Sequence, residues 1–406
     1  MVRRNSVRLA VALLVMSVVA PFVSSGTAGA IGSPPSTTIG ARLRFATTNG
    51  DILAITKVSG TSRNLIAFGG NFTKVITPDG VSRDAKNFAV VDEFTGALVY
   101  GGNANNYVRA ITSLNGTVYV GGDFTSFGGV ARPRAAALNP SFAVTGWNPQ
   151  PGSRVRALTV ANGNVVYGGD SSVVRGTNPT TGGSVWSQSI SGGSVRSLGT
   201  APNGTLYIGG MFEKYGTLTR HGLIKANPAN GAPDTAFNAK LRADTGVGSH
   251  GSYDGQAGNV IAFNADGSRL LLGVAGYGSD EFKTLNPNTG SLYWGLVLPG
   301  DCQGVGVVGS TYVLGYHRHD NNPWPYFGAQ VEASNGRLTT WNPGLTGYQS
   351  NVDGGNQGVQ AVYVDSANRR LFVAGAFTKP VQSLAAYSWC PRFLTTSHDN
   401  CGSQLS

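Results

Sequence analysis

Charge is scarce in this chain. Asp, Glu, Lys and Arg make up 12% of its 406 residues, and the 30 basic residues are scattered rather than gathered in runs. That scatter argues against nucleic-acid binding despite a formal net charge of +10, and leaves open an attraction to anionic glycans or wall polymers. Cysteine is nearly absent: only Cys302, Cys390 and Cys401 occur. An odd count leaves at least one thiol without an intramolecular partner. Cys390 and Cys401 flank a short tail and are the candidate disulfide, whereas Cys302 has no activating His or Asp pattern and reads as a buried thiol. Beyond residue 30 no apolar run is long enough to span a bilayer as a helix. A nucleophile elbow, a paired-acid motif, a phosphate loop and zinc-ligand spacings are all missing, so enzyme chemistry has no local signature. Distant loops could still assemble a catalytic site.

The apolar run that does exist, Leu9 to Val19, follows Arg3, Arg4 and Arg8 and precedes Ala28-Gly29-Ala30, a small-x-small cleavage pattern. Residues 1–30 therefore read as a signal peptide, since Pro21 and Ser24-Ser25-Gly26-Thr27 end the run before it reaches membrane-spanning length. Residues 31–40, with Pro34-Pro35, read as a flexible leader, 41–390 as the folded domain and 391–406 as a C-terminal tail. The expected product is a secreted, extracellular monomer with no membrane span.

What the chain has in abundance is glycine, 59 residues, together with Val, Thr, Tyr and Phe, a composition suited to many short strands joined by tight turns. A repeat organises them. Val108-Arg109-Ala110-Ile111 leads to Asn115-Gly116 and to Val118-Tyr119-Val120-Gly121-Gly122-Asp123-Phe124. Val155-Arg156-Ala157-Leu158 leads likewise to Asn162-Gly163 and Gly168-Gly169-Asp170, and Val195-Arg196-Ser197-Leu198 to Asn203-Gly204 and Gly209-Gly210-Met211-Phe212. Each reads as strand, hairpin turn, strand. Weaker copies begin at Ile52, Val260, Val305 and Val359, making seven, with the second strand ending at Gly69, Gly121, Gly168, Gly209, Gly273, Gly315 and Ala374. Spacings of 41 to 64 residues suit four short strands per unit. Trp147, Phe237 and Trp341 recur at one position of the outer strands and read as packing between units. The last unit lacks a fourth strand, and 41–47 precedes the first unit. The fold expected is all-β: a seven-bladed β-propeller closed by an N-terminal strand that completes the last blade and leaves no exposed edge.

Gly121-Gly122-Asp123-Phe124-Thr125 with Asn139-Pro140, repeated behind Val-Arg-Ala-Leu-type strands, resembles the delta-60 repeat, a β-propeller family of uncharacterised function common in exported bacterial proteins. The resemblance runs through the mature chain, and its motifs are densest from Leu65 to Asn238. It implies a propeller and carries over no catalytic residues.

Three candidate groupings follow. Arg109, Arg156 and Arg196 are the second residues of successive inner strands. They form either an anion-binding funnel at a channel mouth or a structural consensus in which each guanidinium reaches an acid or carbonyl of its own unit. The other units place Leu53, Ile261, Gly306 and Gln360 at that position. Asp254, Asp301 and Asp353 precede later inner strands and could face the arginines or hold a calcium ion, or simply form turns. An insertion after the second strand of unit six carries Tyr316, His317, His319, Trp324 and Tyr326, residue types suited to sugar or peptide contact. The leading functional reading is a secreted, non-catalytic scaffold that binds a glycan, cell-wall polymer or extracellular protein through the loop face. The alternative is an exported hydrolase or lyase with an acid/His site on that face. No cofactor is expected; calcium is the ion the acids would suit, and His317, His319 and Asp320 have donor types suited to a transition metal but lack a third histidine nearby.

Overall fold

The computed structural model describes residues 37–243, 255–276, 280–317, 327–347 and 358–391. Among them every regular element is a β-strand. Seven antiparallel sheets each start from an inner strand: Asp51–Lys57, Val108–Leu114, Val155–Ala161, Ser194–Thr200, Ala257–Phe263, Cys302–Val308 and Gly358–Asp365. Each inner strand packs beside the next in this order, and Gly358–Asp365 also packs beside Asp51–Lys57.

The chemistry of the repeat accounts for the strands and their turns. Asn115-Gly116 and Asn162-Gly163 have positive φ at both residues, the requirement of the tight hairpin turn that joins inner and second strands. Asn139, Asn178 and Asn286 accept backbone N–H groups two to four residues ahead with their Oδ1 atoms, which turns the chain from third to fourth strand and explains the Asn-Pro signature. In units two, four and six the outer strand shrinks to single bridges, Leu138 to Val144, Ala226 to Pro233 and Val331 to Leu338. Units one, two and four insert short hairpins between second and third strands, which the sequence pattern does not signal.

Hydrophobic clusters lie between neighbouring sheets rather than within one. Phe88 and Val90 of unit one meet Val108 and Val118 of unit two. Trp147 stands edge-on to Tyr119, their centroids 5.1 Å apart, and packs with Val155 and Tyr167 of unit three. Phe237 and Trp341 repeat this against Tyr207 and Tyr387, so the recurring aromatics pack sheet on sheet, as the repeat implies. A further cluster joins Phe45, Ile52 and Phe68 to Phe372, Ala374 and Leu384, the two ends of the chain. Each such side chain taken out of water contributes about 1.5–3 kcal/mol.

Thr37–Leu43 pairs with Leu384–Pro391, placing Thr38 opposite Cys390 and Leu43 opposite Ala386. The N-terminal strand thus starts inside the segment 31–40 read from sequence as a leader and stops before Thr47; Thr47–Thr48 pairs instead with Lys74–Ile76. Burial explains the shift: Ile39 packs in one cluster with Tyr387 and Trp389, and that gain draws a threonine-rich stretch into the sheet. Residues 1–30, read from sequence as a signal peptide, and all but Pro391 of the expected tail 391–406 lie outside the described residues, as does the Cys390–Cys401 pairing through Cys401. Cys302 is buried and free, and burial pushes its thiol pKa up, as an inert core thiol requires. Among the described residues no helix is long and apolar enough to cross a membrane.

Candidate binding site in the central cavity

Every one of the seven inner strands carries a register shift near its start, and the shift isolates one residue per unit: Leu53, Arg109, Arg156, Arg196, Asn259, Gln303 and Gln360. A β-bulge bends the strand and re-aims the extra side chain. All seven of these residues line one cavity of about 330 Å3, bounded elsewhere by apolar side chains such as Ile55, Ile111, Leu158 and Ile261. In units one to four a double glycine accommodates the bulge. A Cβ on Gly122 would lie 2.0 Å from the carbonyl oxygen of Tyr107, and one on Gly121 would lie 2.4 Å from Val155 of the next unit. The first glycine admits the neighbouring sheet; the second admits the bulge.

The ring is chemically lopsided, three guanidiniums on one arc and three carboxamides on the other. Arg109 grips Asp123 with both Nε and a terminal nitrogen, at 2.9 and 2.7 Å, and Arg156 grips Asp170 in the same way. These acids are the residues that follow each double glycine, so for two arginines the structural reading of the consensus holds. Arg154, just before the third inner strand, bridges the two acids at 2.9 Å from Asp123 and 3.7 Å from Asp170. In unit four the equivalent residue is Met211. Arg196 donates to its sulfur at 3.0 Å, and the Nε of Arg196 is buried without a hydrogen-bond partner. Burial, then the charge of Arg156, pushes the Arg196 pKa down, while Asp170 and Asp301 oppose the shift. Among the described residues four guanidiniums on this arc are paired with two carboxylates, with Asp301 acting on Arg196 from beyond it.

On the opposite arc Asn259 donates to the carbonyl of Cys302 at 3.0 Å. Among the described residues Gln303 Oε1 and Gln360 Nε2 are buried without partners, whereas Gln303 Nε2 lies 3.2 Å from His317 Nδ1. His317 Nδ1 is 4.0 Å from Asp301. Asp301 also shares a hydrogen bond with Asp280; burial first, then that bond and the charge of Asp301, raise the Asp280 carboxyl to about 8.

Against the sequence expectations, Leu53, Arg109, Arg156, Arg196 and Gln360 stand where the repeat puts them, but Ile261 and Gly306 do not hold the ring position. Asn259 and Gln303 hold it. Tyr316 is not a surface contact either: it is wholly buried among Tyr312, Leu314 and Phe282, and His317 is buried beside Gln303. His319, Trp324, Tyr326, Asp254 and Asp353 lie outside the described residues. Asp301 has Asp280 and His317 near it, yet among the described residues no group of three His, Cys, Asp or Glu side chains is arranged to hold a metal ion. Arg154, Asn259, Gln303 and Met211 are not among the site residues expected from the sequence.

With the geometry in place, a solved structure supplies the comparison. The WD40 beta propeller domain of Doa1 superimposes on 86% of this chain and 97% of its own length with a TM-score of 0.53, at 12% identity. This chain is a β-propeller. At that identity the likeness concerns the fold alone. Neither a family model nor a curated protein matches the chain. In a propeller the inner strands surround a central channel, and the ring of bulge residues is the lining of that channel in this one.

Proposed function

We propose that the chain is a seven-bladed propeller closed by its N-terminal strand, and that it works as a non-catalytic binding scaffold drawing an anionic ligand to the channel. The cyclic contacts of the seven inner strands and the pairing of Thr37–Leu43 with the last sheet support the closed ring. The observation that carries the binding reading is the arc of Arg109, Arg154, Arg156 and Arg196, which among the described residues is paired with Asp123 and Asp170 and feels Asp301 at Arg196. Charges held by a low-dielectric wall attract counter-ions more strongly than the same charges on an open surface. Export, a place among the delta-60 repeats, and a glycan, wall-polymer or extracellular protein as partner belong to the same proposal. They rest on the N-terminal pattern and on the repeat motifs.

The test is a panel of acidic and neutral glycans, wall fragments and peptides, probed at about 50 and 500 mM salt. Acidic members are expected to bind, to lose affinity at the higher salt, and to bind Arg156→Gln at least about five-fold more weakly. Recognition confined to neutral members, with no salt dependence, would count against the reading.

A second reading, an acid-dependent hydrolase or lyase, is favoured by the proton-sharing pair Asp280 and Asp301 beside His317. A hydrolase screen that finds turnover lost in Asp301→Asn would establish it. The pair also makes a stability prediction. The Asp280 carboxyl ordinarily ionises near 3.8 and in the fold near 8, so between those values the folded state holds more protons than the unfolded one. Stability from this group falls as pH rises from about 4 to about 8. Asp280→Asn should therefore gain about 1–3 kcal/mol relative to the parent at pH 8 and little at pH 4, read as the melting-temperature difference across a pH series.

A further inference from the structure

Resting on the scaffold reading, we propose that the central cavity takes a sugar acid, its carboxylate on Arg196 and its hydroxyl groups on Gln303 and Gln360. Repetition makes the unit-four site visible. Units two and three supply their own carboxylates, Asp123 and Asp170, to the bulge arginine. Unit four puts Met211 at that place, and a thioether is only a weak acceptor for a guanidinium. Arg196 is thereby left with a buried Nε–H that nothing in its own unit accepts, in a position its repeat neighbours fill with an acid. A buried donor left unpaired costs about 1–3 kcal/mol, and a bound carboxylate would take up both the charge and the hydrogen bond in the bidentate manner that suits guanidinium.

The far arc selects what the carboxylate is attached to. Gln303 offers a buried acceptor and Gln360 a buried donor, both without partners. A hydroxyl satisfies either, because it donates and accepts. Sulfate brings no donor for Gln303 Oε1 and no carbon body for the walls of Ile55, Ile111 and Leu158. A volume of about 330 Å3 stands at the small end of ligand cavities, the scale of one sugar ring. A hydroxylated carboxylate of that size matches the charge on one side, the mixed polar pair on the other and the apolar wall between.

Calorimetric titration of the protein with galacturonate, trigalacturonate, galactose and sodium sulfate tests this. At least one of the two sugar acids is expected to bind ten-fold or more tighter than galactose and sulfate. A preference for the trimer identifies the end of an acidic polymer; equal affinity identifies the free acid. Met211→Asp gives Arg196 the acid its counterparts own, and should cut sugar-acid affinity at least ten-fold with the melting temperature kept or raised. Arg196→Gln should do the same. Equal binding of galactose and galacturonate, sulfate matching the sugar acids, or indifference to Met211→Asp in a folded variant would overturn the assignment. Binding of acidic peptides or other acidic polymers that weakens in Arg156→Gln, with no response to galacturonates, would sink the sugar acid and leave the scaffold reading standing.

Discussion

Lys57→Met is expected to lower the stability of the fold by about 3–5 kcal/mol at neutral pH. Lys57 ends the first inner strand. Its ammonium group pairs with Glu93 at 3.1 Å and with Asp365, the final residue of the seventh inner strand. The Glu93 and Asp365 side chains are 0% and 6% exposed, and Asn368 donates to both, at 2.9 and 3.1 Å. Methionine keeps the apolar stem of the lysine, so what is removed is the charge that lets two buried carboxylates share a pocket at the seam between the ends of the chain. The pH dependence separates this from a packing loss. Burial, with Asp365 adding to it, holds the Glu93 pKa above its ordinary value even in the presence of Lys57. Burial raises Asp365 too, but Lys57 and the Asn368 backbone pull it below its ordinary value. In the parent, then, the Asp365 contribution is present above about pH 4 and fades on further acidification, whereas the Glu93 contribution declines as pH rises past about 4.5. Without Lys57 both acids resist ionisation, so the deficit should be largest near pH 8 and shrink toward pH 4.5 as Glu93 takes a proton. Chemical denaturation at both values checks it. The pair Lys57→Met with Glu93→Gln should recover part of the loss, and an additive double-mutant cycle would refute the coupling.

That network had no signature in the sequence. Lys57 and Asp365 are 308 residues apart, and nothing local marks either as a partner of the other. The sheets themselves were legible because units two, three and four restate the same instructions in full, apolar residues alternating, Asn-Gly at the hairpin, Gly-Gly where the sheets crowd and Asn-Pro at the outer turn, and the other units keep part of them. Arg109, Arg156 and Arg196 were legible for that reason. Units five and six hid their ring residues because the second glycine is gone, replaced by Val274 and Tyr316. Aligning them on the apolar Val260 and Val305 slides the frame by two or three residues past the bulge. A strand repeats every two residues, and a bulge inserts one more, so hydrophobic alternation cannot mark where the inserted residue falls. The signal that could have found Asn259 and Gln303 was polar: an amide side chain just before the apolar run of each inner strand, as with Gln360. Met211 was visible as a departure from Asp123 and Asp170, and its meaning needed the geometry of the arginine it fails to pair.

Units five and six keep the bulge with Val274 and Tyr316 in place of the second glycine, but in unit two, where that glycine lies against the backbone of the bulge, Gly122→Ala should be among the most damaging single-methyl additions to the molecule. Gly122 pairs with Val108 just beyond the bulged Arg109, and an added Cβ would sit 2.0 Å from the Tyr107 carbonyl oxygen and 3.1 Å from the Val108 Cα. Both are backbone atoms, so no side-chain rotation relieves the contact; the strands must part or the bulge must relax into regular pairing. The first breaks ladder hydrogen bonds. The second swings Arg109 to the other face of the sheet, away from Asp123 and the channel. A loss of about 3 kcal/mol or more is expected, the range of mutations that force strained backbone or burial of unpaired groups. Gly146→Ala supplies the contrast, because nothing lies within 4 Å of its added Cβ and its φ is not in the left-handed region. That variant should stay within about 0.5 kcal/mol of the parent, or gain slightly through the stiffer unfolded chain. Denaturant midpoints for the two, at equal slope, decide the matter. Equal tolerance of both would mean that the bulge at Arg109 does not depend on its double glycine.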